Sequence, residues 1–375
     1  MEENRRYFYT LDALRGIAAI MVVIHHAGQR TLSYDPLPFS FLAVDIFFIL
    51  SGIVIAMTYD RQLGSSMTPA SFMMRRLTRL YPLYLLGLVL AIVAACFNGG
   101  AGFAYASSLP VWLLTIVASL LFLPSFLLST KSEAFPLNYP AWSLFYELLI
   151  NLAYALLFRS LTLPRLVAFA AVNLILYIVA VRLARTPDMG WGGIFFFAGL
   201  FRVGYGFAIG VIIARMLSVQ TPRVNSLMTV AICIALVALL AAPIYQGRNL
   251  AGILAVAFAS PALVFVACIF EPKSEVLKRF SLLMGRISYP LYMIHAPILY
   301  YLTTNWRFAA GNELAMVSLL VLWLAGLSLF IEMAYDLPVR KRLSAALKAG
   351  NRATRKAGGP VAAMSAERIS TRQVR

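Results

Sequence analysis

An arginine and a histidine in one apolar run are the first residues here that could do chemistry. The run Leu11-Asp12-Ala13-Leu14-Arg15-Gly16 continues to His25-His26. Arg15 and His26 lie eleven residues apart, very nearly three helical turns, so on a helix they share one face about 16 Å apart. Asp12, one turn before Arg15, is its expected local partner. His25 and His26 differ by about 100° on the helix, and only one of them can share the face of Arg15. An imidazole changes charge near neutral pH and suits proton transfer. An arginine suits an anion such as phosphate.

Other ionisable residues sit where charge is costly. Asp45 lies near the outer end of an otherwise uncharged helix, in Val44-Asp45-Ile46-Phe47-Phe48-Ile49-Leu50-Ser51-Gly52. Arg75, Arg76 and Arg79 precede Leu80-Tyr81-Pro82, and Arg76 and Arg79 are one turn apart, able to face one polyanion. Glu147 ends Trp142-Ser143-Leu144-Phe145-Tyr146-Glu147, entering from the outer side. Arg202 opens a helix whose Gly206-x-x-x-Gly210 reads as a packing face. Ser288, Tyr292 and His295 fall at i, i+4 and i+7, one stripe running inward. The pattern places arginine at one mouth, histidines at mid-depth and carboxylates toward the outside. HExxH, Walker, GxSxG and DxD patterns are absent from the sequence, so metal hydrolysis, NTP hydrolysis and a serine-hydrolase elbow lack support.

The elements that position these groups are membrane helices. Of 375 residues, 61% are hydrophobic and 13% charged, with a mean hydropathy of +0.81. A soluble domain is about a quarter charged, so the expected fold class is an all-α polytopic integral membrane protein. Apolar runs approaching the ~20 residues of a membrane crossing occur at roughly 11–29, 41–59, 78–97, 110–128, 142–158, 165–182, 199–217, 226–242, 250–270, 287–304 and 314–335. The connections 60–79, 159–165, 215–223 and 271–286 are basic and, with both termini, are expected in the cytoplasm. Eleven crossings cannot satisfy that. The run 110–128, bounded by Pro110 and Pro124, is therefore expected to be re-entrant or interfacial on the outer side, leaving ten crossings and a possible lid.

The formal charge of +17 comes from 32 Lys+Arg against 15 Asp+Glu. The segment 340–375 carries ten basic residues and one acid, Glu367. Charge placed there and in short loops signals topology and attracts anionic membrane lipids, so nucleic acid is not an expected partner. The expected organisation is a membrane domain at 1–338 and a basic, flexible cytoplasmic tail at 339–375. Cys96, Cys233 and Cys268 all lie in apolar runs and form neither a metal motif nor a disulfide framework. Arg5 and Arg6 precede an apolar stretch that ends in two histidines, which reads as an uncleaved first helix rather than a signal peptide. No internal repeat of the transporter kind is visible.

Taken in order, LDALRGIAA with Arg15-x10-His26, VDIFFILSG, RRLTRLYP, Trp142–Glu147, GRISYPLYMIHAPI and YDLPVR resemble the acyltransferase 3 family of membrane acyltransferases. The blocks run from residue 11 to about 340. Asp336 stands where members commonly place Glu; it keeps the charge with a shorter reach, and no catalytic duty is assigned to it. No SGNH-type hydrolase sequence follows, so a stand-alone member is expected.

The resemblance implies transfer of an acyl group, most often acetyl from acetyl-CoA, to a hydroxyl of an envelope or exported saccharide at the bacterial inner membrane. A thioester is already activated, so neither ATP nor a metal is expected. On this reading His26 is the base, Glu147 or Asp45 orients it or the acceptor, and Arg15 positions the donor. Arg76 and Arg79, joined by Arg75, meet the phosphates of coenzyme A. Ser288 and Tyr289 line the donor tunnel, with His295 in support. Succinyl donors and acceptors from O-antigen to macrolides fit the same chemistry. The competing reading is a permease or exporter of lipid-linked or small polar solutes, in which His and Arg gate rather than catalyse; a non-catalytic scaffold is a third.

Overall fold

The computed structural model describes residues 7–32, 34–97, 108–127, 133–217, 221–244, 246–305 and 312–349. Twelve helices follow in chain order: α1 (Tyr9–Thr31), α2 (Leu42–Leu63), α3 (Pro69–Phe97), α4 (Leu109–Leu120), α5 (Ala141–Leu157), α6 (Leu163–Ala184), α7 (Ala198–Leu217), α8 (Ser226–Leu240), α9 (Arg248–Leu254), α10 (Ser260–Ile269), α11 (Glu275–Asn305) and α12 (Glu313–Ile331). In hydrocarbon every backbone polar group must be satisfied within its own segment, and helices do this. Eight helices among the described residues are long and apolar enough to cross a membrane, with Arg248–Ile269 counted as one through a π turn. The 15-residue α8 and the 31-residue α11, which carries charge in its first turns, occupy the other two runs marked by the sequence. The 12 residues of α4 span about 18 Å, short of a hydrocarbon core of about 30 Å. The outcome is the all-α polytopic membrane protein that composition implies.

Two close pairs organise the bundle: α1 with α11, and α2 with α7, which also packs on α6. Small residues set both distances. A Cβ on Gly52 would stand 2.2 Å from the carbonyl oxygen of Phe207, and one on Gly210 would stand 2.1 Å from that of Ile49. The Gly206–Gly210 face is thus the α2 contact. Gly16 does the same between α1 and α11, where a Cβ would meet Met284 at 2.3 Å.

Polar side chains complete the backbone where helices start or break. Oε2 of Glu271 accepts from the amides of Tyr9 (2.9 Å) and Thr10 (3.3 Å), capping α1 with a carboxylate that its dipole favours. Within α11, Pro297 has no N–H to give the carbonyl of Met293; Asn138 Nδ2 supplies one at 3.0 Å. That bond ties the segment preceding α5 to the middle of α11. The last helix does not stop near Pro338. A π turn at Glu332–Asp336 leads into helix that continues to Ala349, and Asp336 pairs with Arg340 one turn on, at 2.7 Å. The expected flexible tail is therefore helical over 339–349; residues 350–375, like Arg5, Arg6 and the connection at 98–107, lie outside the described residues.

Candidate active site

Among the described residues, three cavities follow one another along α11. The first, about 120 Å³, opens among the starts of α1, α3 and α11 and the end of α12, and its charged lining includes Arg15, Arg79, Arg286, Glu332 and Asp336. Arg15 is held by three partners: the carboxylate of Asp12 (3.0 Å), the carbonyl of Gly285 (2.8 Å) and the hydroxyl of Ser288 (2.9 Å). The hydroxyl of Tyr7 also donates to Asp12, and Ser288 donates to the Gly285 carbonyl at 2.8 Å. Arg286 meets Glu332 at 2.7 Å, while Arg79, 39% exposed, stands 4.0 Å from Asp336. The π turn brings Glu332 and Asp336 to this mouth, both buried; such turns often mark functional sites.

Arg15, Arg79 and Tyr289 also border the second cavity, of about 190 Å³. Its polar end adds Arg76, Glu147 and Ser288, and its walls are apolar, among them Phe47, Leu50, Val54 and Leu144. Arg76 donates to Glu147 at 2.6 Å, and Ser51 donates to the same oxygen at 2.8 Å. The Tyr289 hydroxyl donates to the Leu80 carbonyl at 2.6 Å, fixing α11 against α3.

The third cavity is the largest, about 560 Å³, and is bordered by His25, His26, Gln29, Arg30, Glu133, Tyr139, Trp142, Asp188 and Trp191. His26 Nδ1 lies 2.9 Å from His295 Nε2, with the rings parallel and 5.2 Å apart. His295 Nδ1 lies 3.0 Å from the Leu291 carbonyl. That carbonyl can only accept, so His295 carries its proton on Nδ1 and, when neutral, accepts through Nε2. His26 must then donate from Nδ1. Its Nε2 is left as a lone pair, and among the described residues nothing bonds it. Tyr139 meets the His26 ring edge-on at 4.9 Å.

An acyltransferase domain, that of the acyltransferase 3 family, matches residues 8–335. The chain belongs to the acyltransferase 3 family. Among similar proteins, "Protein 2 in picA locus" of Rhizobium radiobacter is 38% identical over 46% of this chain and 94% of its own length. The exopolysaccharide production protein ExoZ of Rhizobium meliloti is 29% identical over 38% of this chain and 40% of its own. The peptidoglycan O-acetyltransferase OatA of Listeria monocytogenes is 30% identical over 25% of this chain, which spans 15% of that protein. No solved structure matches. The protein is thus a multi-pass membrane acyltransferase.

Within this acyltransferase, Arg15 and His26 both point at α11, as their spacing requires. His25 turns instead to Asp35, at 2.9 Å, although it borders the same cavity. Two expected partners of His26 are elsewhere. Glu147 is engaged by Arg76 and Ser51 in the second cavity rather than standing toward the outside. Asp45 is buried against Arg202, with oxygens 2.6 and 3.0 Å from its guanidinium. Both carboxylates answer to an arginine because an unpaired buried charge costs more than a helix can supply. The orienting group beside His26 is His295. Arg75 also departs from expectation: it is exposed, donates to Gln62 at 3.1 Å, and borders none of the three cavities. A neighbour one residue from Arg76 points about 100° away on the helix.

Sequence reasoning missed Asp35, Tyr139 and the Arg202–Asp45 pairing. The last had a signal, since two lone opposite charges in apolar helices need each other. Asn138-Tyr139-Pro140, a turn-forming tripeptide directly before a functional helix, was a weaker one.

Proposed function

We propose that this acyltransferase moves an acetyl group from cytoplasmic acetyl-CoA to a hydroxyl of an envelope or exported saccharide, with His26 as general base. The observation that carries the reading is the His26 tautomer, which leaves Nε2 free beside the third cavity. A hydroxyl bound there loses its proton to Nε2 as it attacks the thioester carbonyl.

The arginine-lined mouth supports the donor assignment. Coenzyme A carries phosphates at one end and a slender thioester arm at the other. Arg15 and Arg79 are the guanidiniums bordering both inner cavities, and the apolar second cavity suits the arm. The carboxylates of Asp12 and Asp336 hold those cations in place until phosphate displaces them. The mouth would face the cytoplasm of a bacterial inner membrane, in line with basic residues in the short loops at that end.

The third cavity suits a sugar. The flat rings of Tyr139, Trp142 and Trp191 offer apolar faces, and Gln29, Glu133 and Asp188 offer hydrogen bonds to hydroxyls. The names of two relatives, one concerned with exopolysaccharide and one with peptidoglycan O-acetylation, point the same way.

The test incubates membranes with acetyl-CoA labelled on its acetyl group and a crude envelope-glycan fraction, then releases ester-linked label with mild base. Label that requires the protein and disappears in His26→Ala membranes at equal protein level is the expected result. Undiminished label with His26→Ala would remove the base, and label only from succinyl-CoA would change the donor. No label from either donor would overturn the reading.

A further inference from the structure

Resting on that reading, we propose that Tyr292 is a catalytic residue: its hydroxyl, at the junction of the donor and acceptor cavities, hydrogen-bonds the thioester carbonyl as it becomes an oxyanion.

Donor and acceptor approach from opposite ends and must meet. Among the described residues, Tyr292 is the one that borders both the second and the third cavity. Its hydroxyl lies 2.8 Å from the Ser143 hydroxyl and 3.3 Å from the Pro140 carbonyl. Ser143 also reaches that carbonyl, at 3.1 Å. Two hydroxyl protons therefore converge on one carbonyl and one another. If Ser143 donates to Pro140, the Tyr292 proton is held only by a neutral hydroxyl oxygen, and it can turn toward a stronger acceptor at little cost. The ring itself is fixed, buried against Phe47 at 5.7 Å and His295 at 5.9 Å.

Helix α11 then has one task for each rung of its stripe. Ser288 holds Arg15 on the donor side, Tyr292 stands at the junction, and His295 sets the tautomer of His26. In the step, the acceptor oxygen bonds to the carbonyl carbon and its proton passes to His26 Nε2. The carbonyl π pair moves onto oxygen, where Tyr292 donates to it. Collapse re-forms the carbonyl, breaks the carbon–sulfur bond, and the thiolate takes the proton back from His26. Preorganised donors of this kind are commonly the largest single contribution to acyl transfer.

Membranes with wild type, His26→Ala, Tyr292→Phe and Ser143→Ala are compared for label transfer from acetyl-CoA to the crude glycan fraction, across donor concentration and at equal protein level. Tyr292→Phe keeps the ring and is expected to lower the saturating rate on the order of 100-fold, with the acetyl-CoA KM within about twofold. Ser143→Ala leaves the tyrosine hydroxyl in place and is expected to stay within about fivefold of wild type. A saturating rate unchanged in Tyr292→Phe, a loss confined to KM, or a Ser143→Ala loss as large as that of Tyr292→Phe overturns the assignment. Should Tyr292→Phe fail to accumulate, fluorotyrosine at 292 preserves the shape and strengthens the donor. A changed saturating rate supports the role, and an unchanged one removes it. If wild type transfers nothing, the proposed function has failed. If wild type transfers and His26→Ala does not, a neutral Tyr292→Phe sinks this inference alone.

Discussion

Two buried polar pairs lie in the same bundle and have opposite designs. Around Arg202 everything is closed: it bonds both oxygens of Asp45 and the carbonyls of Met189 (2.6 Å) and Phe41 (3.0 Å). Trp142 covers the guanidinium at 5.5 Å, and the residue is 1% exposed. His26 and His295 satisfy one another and the Leu291 carbonyl, yet one ring nitrogen stays unbonded beside a cavity. The two pairs thus differ in one respect: the histidine pair keeps an unspent bonding position beside a cavity, while the arginine pair is closed on every side. The closed pair ties α2 to α7 and to the segment at 188–189, holding the wall of the cavity into which the open pair looks.

The comparison is broken most directly by removing one member of each pair. His26→Ala is expected to lower acyl transfer about 10²–10⁴-fold with normal accumulation in the membrane. Arg202→Met leaves the Asp45 carboxylate buried without a cation, a cost of about 3–5 kcal/mol, and is expected to lower yield and thermal stability in detergent. Adding Asp45→Leu should recover much of that stability. An Arg202→Met protein as stable as wild type but inactive would reverse the roles assigned to the two pairs.

A smaller effect tests the tautomer. His295→Leu removes the acceptor for the Nδ1 proton of His26 and frees the ring to turn or to hold its proton on Nε2. Transfer is expected to fall about 10–100-fold, the scale on which orienting partners act. His295→Gln offers an amide oxygen in its place and should lose less. Equal losses in Leu and Gln would mean that His295 contributes bulk rather than a hydrogen bond.

How much of this was legible depended on the kind of distance involved. Arg15, Asp12 and His26 lie on one helix, where the 3.6-residue period converts spacing into direction, and their shared face followed. The stripe Ser288, Tyr292 and His295 followed for the same reason, as did the Gly206–Gly210 contact face. Pairings between helices were another matter. Asp45 meets Arg202 across 157 positions of chain and Glu147 meets Arg76 across 71, and periodicity says nothing about which helix is the neighbour. That a charge lay within an apolar run was readable but its partner was not, so Glu147 or Asp45 was expected to orient the histidine or the acceptor, and each is instead held by an arginine. The start of the tail was misread because its basic, weakly apolar composition was taken as flexibility, whereas residues 339–349 continue the last helix.

The finest comparison is between arginines that are adjacent in sequence. Arg76 and Arg79 border the second cavity, while Arg75 lies on the outside of α3 with Gln62. If the cavity rather than the local density of positive charge binds the phosphates, the three will not behave alike. Arg79→Ala should raise the acetyl-CoA KM several-fold with a smaller change in the saturating rate, since Arg79 is half free and 4.0 Å from its nearest carboxylate. Arg76→Ala should cost both, because it also releases Glu147. Arg75→Ala should leave transfer within about twofold, the range expected of a solvated arginine away from any such feature. Titrating acetyl-CoA against the three variants at equal protein level separates the cases. An Arg75→Ala defect equal to that of Arg79→Ala would mean that the mouth attracts its anion as a basic surface and not through a built site.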